Sequence, residues 1–482
     1  MNSKLPHYPV MIPSANTTDG VLEVTAPFDG SLIATVDTAD WKAADKALQT
    51  AHDLFLDRDH WLTPTQRIDI LKKTAAMMSE RAEELAVEAA REGGKPLIDS
   101  RVEVARAIDG VNLCIRFLQS DAGEEIPMDI NAASAQRMVF TRKEPIGVVV
   151  GVSAFNHPLN LIVHQVGPAV ATGCPVIIKP AEDTPLSCFR FVEMLRAAGL
   201  PQAWCQSFIV EDLDVATRLV ADARVGFFSF IGSARVGWML RSKLAPGTRC
   251  ALEHGGAAPV IFAADADRCE ALPLLAKGGF YHAGQVCVSV QRVFAHSSIA
   301  MEVAEELAKI AKALKVGDPT RADTEVGPLI REREVDRVHE WVREAKAAGG
   351  NVLSGGAKLS GSCYAPTVLF EPPDDAKVST LEIFGPVVCV YPYSELDEAI
   401  SRANALPYAF QAAVFTRDLD TALRAYSRLA GSAIMVNDHT AFRVDWMPFA
   451  GIKQSGLGVG GIPYTMHDMQ IEKLLVLRSK VL

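Results

Sequence analysis

Cys287 stands in Gly284-Gln-Val-Cys-Val-Ser-Val-Gln-Arg292, a thiol flanked by small and β-branched residues. Upstream, Glu253 stands in Leu252-Glu-His-Gly-Gly256, one carboxylate followed by a double glycine. A thiolate that attacks a carbonyl and a carboxylate that activates water are the two groups a covalent thiol enzyme needs. The bland alternative is a buried structural cysteine and a surface glutamate. For this pair taken alone the alternative is stronger, because free cysteine is among the most buried residue types. The surrounding pattern has to decide.

Such groups need a scaffold. From residue 146 onward, short apolar runs over 146–152, 175–178, 208–210 and 225–230 alternate with helical segments. That alternation predicts β-α-β units on a parallel sheet. A second alternating region follows Glu253, with strands expected over 260–262, 292–295, 387–391, 412–415 and 433–436. Helices are expected between them over 272–281, 299–314 and 331–348. Upstream, 3.6-residue periodicity predicts helices over 41–56, 63–92 and 97–119, the second opened by Thr63-Pro64. A polar, acidic stretch over 120–134 precedes a strand expected over 137–141, and the tail over 472–478 is strand-like. There is no internal repeat.

Composition narrows the class. A chain of 482 residues is too long for one ordinary core, so two or more domains are expected. Hydrophobic residues make up 49% and charged residues 22%, the proportions of a soluble globular protein. A net charge of −10 argues against nucleic-acid binding, which wants a basic face. No window approaches the apolar length of a membrane span. Residues 1–10 lack a charged start followed by an apolar run, so no secretory leader is expected. The nine cysteines are odd in number and none has C-x-x-C spacing, which argues against a disulfide framework and a zinc site. A cytoplasmic, reducing location is expected.

The motifs shift the balance toward chemistry. Glu144-Pro-Ile-Gly-Val-Val-Val-Gly runs on to Phe155-Asn-His-Pro-Leu-Asn160, then through a helical stretch to Val176-Ile-Ile-Lys-Pro-Ala-Glu182. In order there follow Phe230-Ile-Gly-Ser-Ala-Arg-Val-Gly237, Leu252-Glu-His-Gly-Gly256, Gly284-Gln-Val-Cys287, Glu382-Ile-Phe-Gly-Pro386 and Pro448-Phe-Ala-Gly-Ile-Lys-Gln-Ser-Gly456. Each is weak alone. Together, in order and at these spacings, they resemble the aldehyde dehydrogenase superfamily over nearly the full chain.

The resemblance implies an α/β protein of the aldehyde dehydrogenase fold. Its Rossmann-like cofactor domain would take 1–122 and 144–253, and its α/β catalytic domain 254–453. A small β oligomerisation arm would take 123–143 and 454–482. Relatives with this arm form homodimers or homotetramers, and an apolar tail over 474–477 is otherwise an exposed edge, which proteins usually cover. The implied reaction oxidises a small-molecule aldehyde to its carboxylic acid with NAD or NADP as hydride acceptor, without a metal. Cys287 is the implied nucleophile. The side-chain amide of Asn156 and the backbone N–H of Cys287 would hold the oxyanion. Glu253 would activate water to hydrolyse the thioester. From its type alone Asn156 reads as a turn residue before Pro158. The coenzyme-A-acylating branch fits less well, because it typically lacks this glutamate. A catalytically silent member of the fold is the runner-up.

For the cofactor there is no G-x-G-x-x-G. Instead Gly232-Ser233 opens a helix containing Gly237, and a helix N-terminus binds pyrophosphate through its free N–H groups. A glycine helix entry is the plain alternative. Lys179 and Glu182 resemble the residues that bind the adenosine ribose. A carboxylate there repels a 2′-phosphate, so NAD is expected ahead of NADP. Glu382 resembles the residue that holds the nicotinamide ribose and Phe384 the ring beside the nicotinamide, with core packing the rival for Phe384.

Three residues depart from the common pattern, and of these His157 faces the expected substrate channel. His254 replaces a leucine, Ala450 replaces a glycine, and His157 stands where an aromatic residue is frequent. Arg106, in a helix over 102–118, and Arg443, at the expected mouth, suggest with His157 a receptor for an anionic group on the substrate. That would fit the lactaldehyde, succinate-semialdehyde and phosphonoacetaldehyde dehydrogenase-like branches. The rival is that Arg106 pairs with Glu103 or Asp109 and that His157 merely packs.

Overall fold

The computed structural model describes residues 5–14 and 19–482. The first four residues of the stretch read for a leader lie outside them. Two large sheets organise the chain. The first has six strands in the spatial order Gly456–Leu457, Arg249–Glu253, Val225–Ile231, Val148–Val152, Val176–Lys179, Cys205–Ser207. All neighbours are parallel except the Gly456–Leu457 edge.

The inner strand Val148–Val152 is a continuous apolar run, as are residues 176–178 of its neighbour, because helices cover both of their faces. Val149, Val176 and Ile178 face the core under helices Pro64–Glu80, Leu97–Ser120, Asn160–Thr172 and Leu186–Ala197. Val148, Val150 and Ile177 face the opposite core, under Trp41–Leu56, Leu213–Ala221 and Ala234–Arg241. The two-residue pleat assigns neighbouring side chains to opposite layers. The chain winds outward from Val148–Val152 to Cys205–Ser207, then returns to Val225–Ile231 on the other side. The crevice between Val148–Val152 and Val225–Ile231 is therefore a topological switch point, where open α/β sheets bind ligands.

The second sheet has seven strands in the order Asn351–Ser354, Thr367–Phe370, Val387–Tyr393, Val290–His296, Ala258–Phe262, Gln411–Phe415, Ala433–Val436. Only its first pair is antiparallel. A small antiparallel sheet joins Glu125–Ile126, Arg137–Pro145 and Gln470–Arg478. Among the described residues no helix is long and apolar enough to cross a membrane.

Three expectations need correction. The helix expected over 63–92 is two helices, Pro64–Glu80 and Ala82–Gly93, broken at Arg81 (φ −107°, ψ 16°). The strand expected over 208–210 lies earlier, at Cys205–Ser207, because those residues carry the ladder to Val176–Lys179 while Phe208 and Val210 pack into the core. The arm expected from residue 454 begins later. Gly456–Leu457 extends the first sheet and helix Ile462–Asp468 packs on Asn160–Thr172, so only Gln470–Arg478 joins the small sheet.

Candidate active site

The carboxyl edge of the first sheet meets the amino edge of the second. Asn156 follows Val148–Val152, Lys179 ends Val176–Lys179, Gly232 and Ser233 follow Val225–Ile231, and Glu253 ends Arg249–Glu253. On the other side, Cys287 precedes Val290–His296, and Glu382 and Phe384 precede Val387–Tyr393.

The two edges are tied by hydrogen bonds. Asn156 Nδ2 donates to Gln285 O at 2.9 Å, two residues from Cys287. An amide nitrogen carries two hydrogens, so one remains after this bond. Gln285 fixes this turn. Its Nε2 donates to His282 O (3.3 Å) and Pro328 O (3.2 Å), and its Oε1 accepts from Ile330 N (2.9 Å). The turn is strained, with left-handed backbone at His282 (φ 48°) and Ala283 (φ 53°). Gly284 completes it at φ 69°, where a Cβ would fall 2.2 Å from Gly385 O.

Cys287 is half-buried, and burial pushes its thiol up to about 12. The charges that act on it belong to Arg443, Glu253 and Glu382. Burial raises the Glu253 carboxyl above the usual range, with Arg443 pulling the other way. Gly460 packs against this carboxylate so closely that a Cβ there would lie 2.1 Å from Glu253 Oε1. Glu382 Oε1 accepts from Gly256 N at 3.1 Å, and burial lifts its carboxyl to about 7. Gly255 must lack a side chain, since a Cβ would sit 1.6 Å from Glu382 Oε1. Phe384 lies edge-on to Phe155 from the opposite sheet, ring centroids 5.8 Å apart.

Features of this edge fit a dinucleotide. Ser233 begins helix Ala234–Arg241 without a side-chain cap bond, which leaves its hydroxyl and the first helical N–H groups open. Lys179 Nζ pairs with Glu182 and donates to Pro180 O at 3.3 Å. His254 packs between Phe230 and Trp238, and its ring Nδ1 lies 3.0 Å from Gly232 O. Gly237 makes room for it, because a Cβ there would fall 2.0 Å from His254 Cε1. The departure at residue 254 thus braces the Gly232 turn from below.

The mouth of the site corrects two expectations. Arg106 does not present its fork to a substrate and does not pair with Glu103 or Asp109. Its Nε and Nη2 donate to Asp445 Oδ2 (3.1 Å) and Oδ1 (2.6 Å). Glu103 instead pairs with Lys95, and Asp109 with Arg116 at 2.8 Å. His157 lies 2.7 Å from Tyr281 Oη through its Nε2. Burial, reinforced by Lys95 and Arg106, holds its imidazole well below the usual range, so it brings no positive charge. Arg443 lies with its guanidinium carbon 3.6 Å from the Phe449 ring centroid, and it acts on both Cys287 and Glu253.

Sequence reasoning missed Asp445, His164, Gln285 and Lys95. A carboxylate two residues after Arg443, inside an otherwise apolar segment, was the available signal for Asp445.

The model of the Aldehyde dehydrogenase family matches residues 14–474. The chain belongs to that family. The 3-sulfolactaldehyde dehydrogenase of Priestia aryabhattai is 37% identical over 461 residues, covering 96% of each protein. Among solved structures, aldehyde dehydrogenase 21 from Physcomitrella patens, in complex with the reaction product succinate, is 35% identical and superimposes with a TM-score of 0.94 over 99% of both chains. Glyceraldehyde-3-phosphate dehydrogenase from Methanocaldococcus jannaschii, complexed with NADP, is 34% identical with a TM-score of 0.91, covering 96% of this chain and 100% of that one. The fold is accordingly the aldehyde dehydrogenase fold, and the protein is an NAD(P)-dependent enzyme that oxidises an aldehyde to its carboxylic acid. As a dehydrogenase it must hold a cofactor and an aldehyde side by side.

Proposed function

We propose that this dehydrogenase works through a thioester on Cys287 and takes a short aldehyde bearing an anionic group. The observation that carries the reading is the Asn156 bond to Gln285 O, which brings an amide donor from one sheet to the thiol turn of the other. Cys287 Sγ attacks the aldehyde carbon. A thiol pushed to about 12 must give up its proton to solvent water before it attacks, which leaves the Glu253 carboxylate free for the later step. The remaining Asn156 amide hydrogen and the Cys287 N–H receive the oxyanion. NAD(P), when bound, supplies the hydride acceptor. Gly232 and Ser233 would hold its pyrophosphate, Lys179 and Glu182 the adenosine ribose, Glu382 the nicotinamide ribose, and Phe384 would pack near the ring. Glu253 then takes a proton from the water that opens the thioester, and the acid leaves as Cys287 Sγ is freed.

Arg443 is the proposed receptor for the substrate anion. Its guanidinium remains charged even when buried. The names of three relatives point the same way: a sulfolactaldehyde dehydrogenase, a structure holding succinate, and a glyceraldehyde-3-phosphate dehydrogenase. Glu182 supports NAD over NADP, although one relative is complexed with NADP. The division into a cofactor domain, a catalytic domain and an arm belongs to the same proposal, as does a cytoplasmic homodimer or homotetramer. It is supported by nine cysteines free of disulfides and by Leu474 to Leu477, about half exposed on the small sheet. The test is a panel of succinate semialdehyde against butanal, with NAD and with NADP, followed by reduced-nicotinamide absorbance. The reading expects kcat/KM at least about tenfold higher for the anion, or 1.4 kcal/mol. Equal values would remove the anionic substrate class.

A further inference from the structure

The anion reading leaves a question of charge. Arg443 lies close to Asp445, and a direct hydrogen-bonded pair would consume its charge. The structure avoids this. Asp445 is buried, and its two oxygens take the Arg106 fork and His164 Nε2 at 2.8 Å. Arg443 Nε stands 3.8 Å from Asp445 Oδ1 and has no hydrogen-bond partner. The side-chain hydrogen bond Arg443 makes among the described residues runs from Nη2 to His164 Nδ1, at 3.4 Å.

Both contacts of His164 fix its tautomer. A carboxylate only accepts, so Nε2 carries the hydrogen; a guanidinium only donates, so Nδ1 keeps its lone pair. His164 is 4% exposed, and burial lowers its imidazole pKa against the pull of Asp445, which keeps the ring neutral. A neutral ring inserted between carboxylate and guanidinium orients the guanidinium without cancelling its charge.

We infer that His164 is the positioning residue for substrate-anion recognition: anchored on Asp445, it holds Arg443 through Nδ1 so that the guanidinium keeps its charge for the anionic end of the aldehyde. The inference rests on the anion reading above and adds to it the part that makes Arg443 selective. Asp445 acts one step further back, with Arg106 completing its neutralisation.

The test compares kcat/KM for succinate semialdehyde with that for butanal in the wild type, His164→Phe and His164→Gln. Phenylalanine fills the space and offers neither group. Glutamine offers an N–H to Asp445 and an oxygen to Arg443. The ratio of the two kcat/KM values should fall about tenfold in H164F, through KM for the anion, and recover most of that loss in H164Q. Should H164F fail to fold, His164→Asn carries the test, because the same groups one methylene short must lower the ratio below that of H164Q. A ratio unchanged in H164F, or in H164N, with a wild type that prefers the anion overturns the role of His164 and leaves the anion reading standing. A wild type with no preference overturns that reading first, and this inference with it.

Discussion

Two buried charged networks lie in one site and follow opposite plans. Beneath Asn156, Lys95 and Glu103 are each 1% exposed and paired with one another. The second Glu103 oxygen accepts from Leu159 N (2.9 Å) and Asn160 N (3.0 Å), at the start of helix Asn160–Thr172. On the same helix as Glu103, Asp99 accepts from His282 N at 3.4 Å. One helix, Leu97–Ser120, therefore grips both the turn after Asn156 and the turn before Cys287. At the mouth, Asp445 is shared by Arg106 and His164, and Arg443 is left over. A network whose charges are matched holds geometry. One with a guanidinium to spare is the proposed receiver of a ligand.

The contrast can be broken first in the sealed network. Lys95→Met strands the Glu103 carboxylate in the core, and removing one partner of a buried ion pair costs about 3–5 kcal/mol. The thermal midpoint should drop clearly, with kcat falling for every aldehyde alike. A loss confined to anionic aldehydes would place Lys95 in the wrong network. At the mouth the effect should be smaller and selective. Arg443→Met should lower kcat/KM for succinate semialdehyde by about 2–3 kcal/mol, the cost of truncating a buried charge partner. That loss should appear mainly in KM, with little change in thermal midpoint, as checked by steady-state kinetics beside a thermal melt. The smallest effect concerns pH. Burial raises the Glu253 pKa, so the base form is lost as pH falls through a value above the usual carboxylate range. The acid limb of kcat should therefore lie above that range and vanish in Glu253→Gln; a limb at the ordinary carboxylate value would contradict the burial of this group.

The chemistry was more legible than the networks that support it. Cys287, Glu253 and Asn156 sit in contiguous motifs, and contiguity is what a sequence displays. The alternation of apolar runs likewise marked Val148–Val152 and Val225–Ile231 within two residues, because strands buried on both faces carry few polar positions to blur them, Ser229 being the one in this pair. The partner of Arg106 lies 339 residues away, and no local pattern predicts such a pairing. Lys95 follows two glycines at a helix ending, and nothing in that local pattern announces that it is buried against Glu103. The break at Arg81 carries no glycine or proline to announce it.

The covalent step has a direct physical trace. In Glu253→Gln, mixed with NAD and succinate semialdehyde and quenched within one turnover, peptide mass spectrometry should find an acyl adduct on the peptide bearing Cys287. That adduct should accumulate in this variant and stay scarce in the wild type. An unmodified Cys287 peptide during continued NADH formation, or a Cys287→Ser variant turning over at the wild-type rate, would show that the reaction does not pass through this thiol.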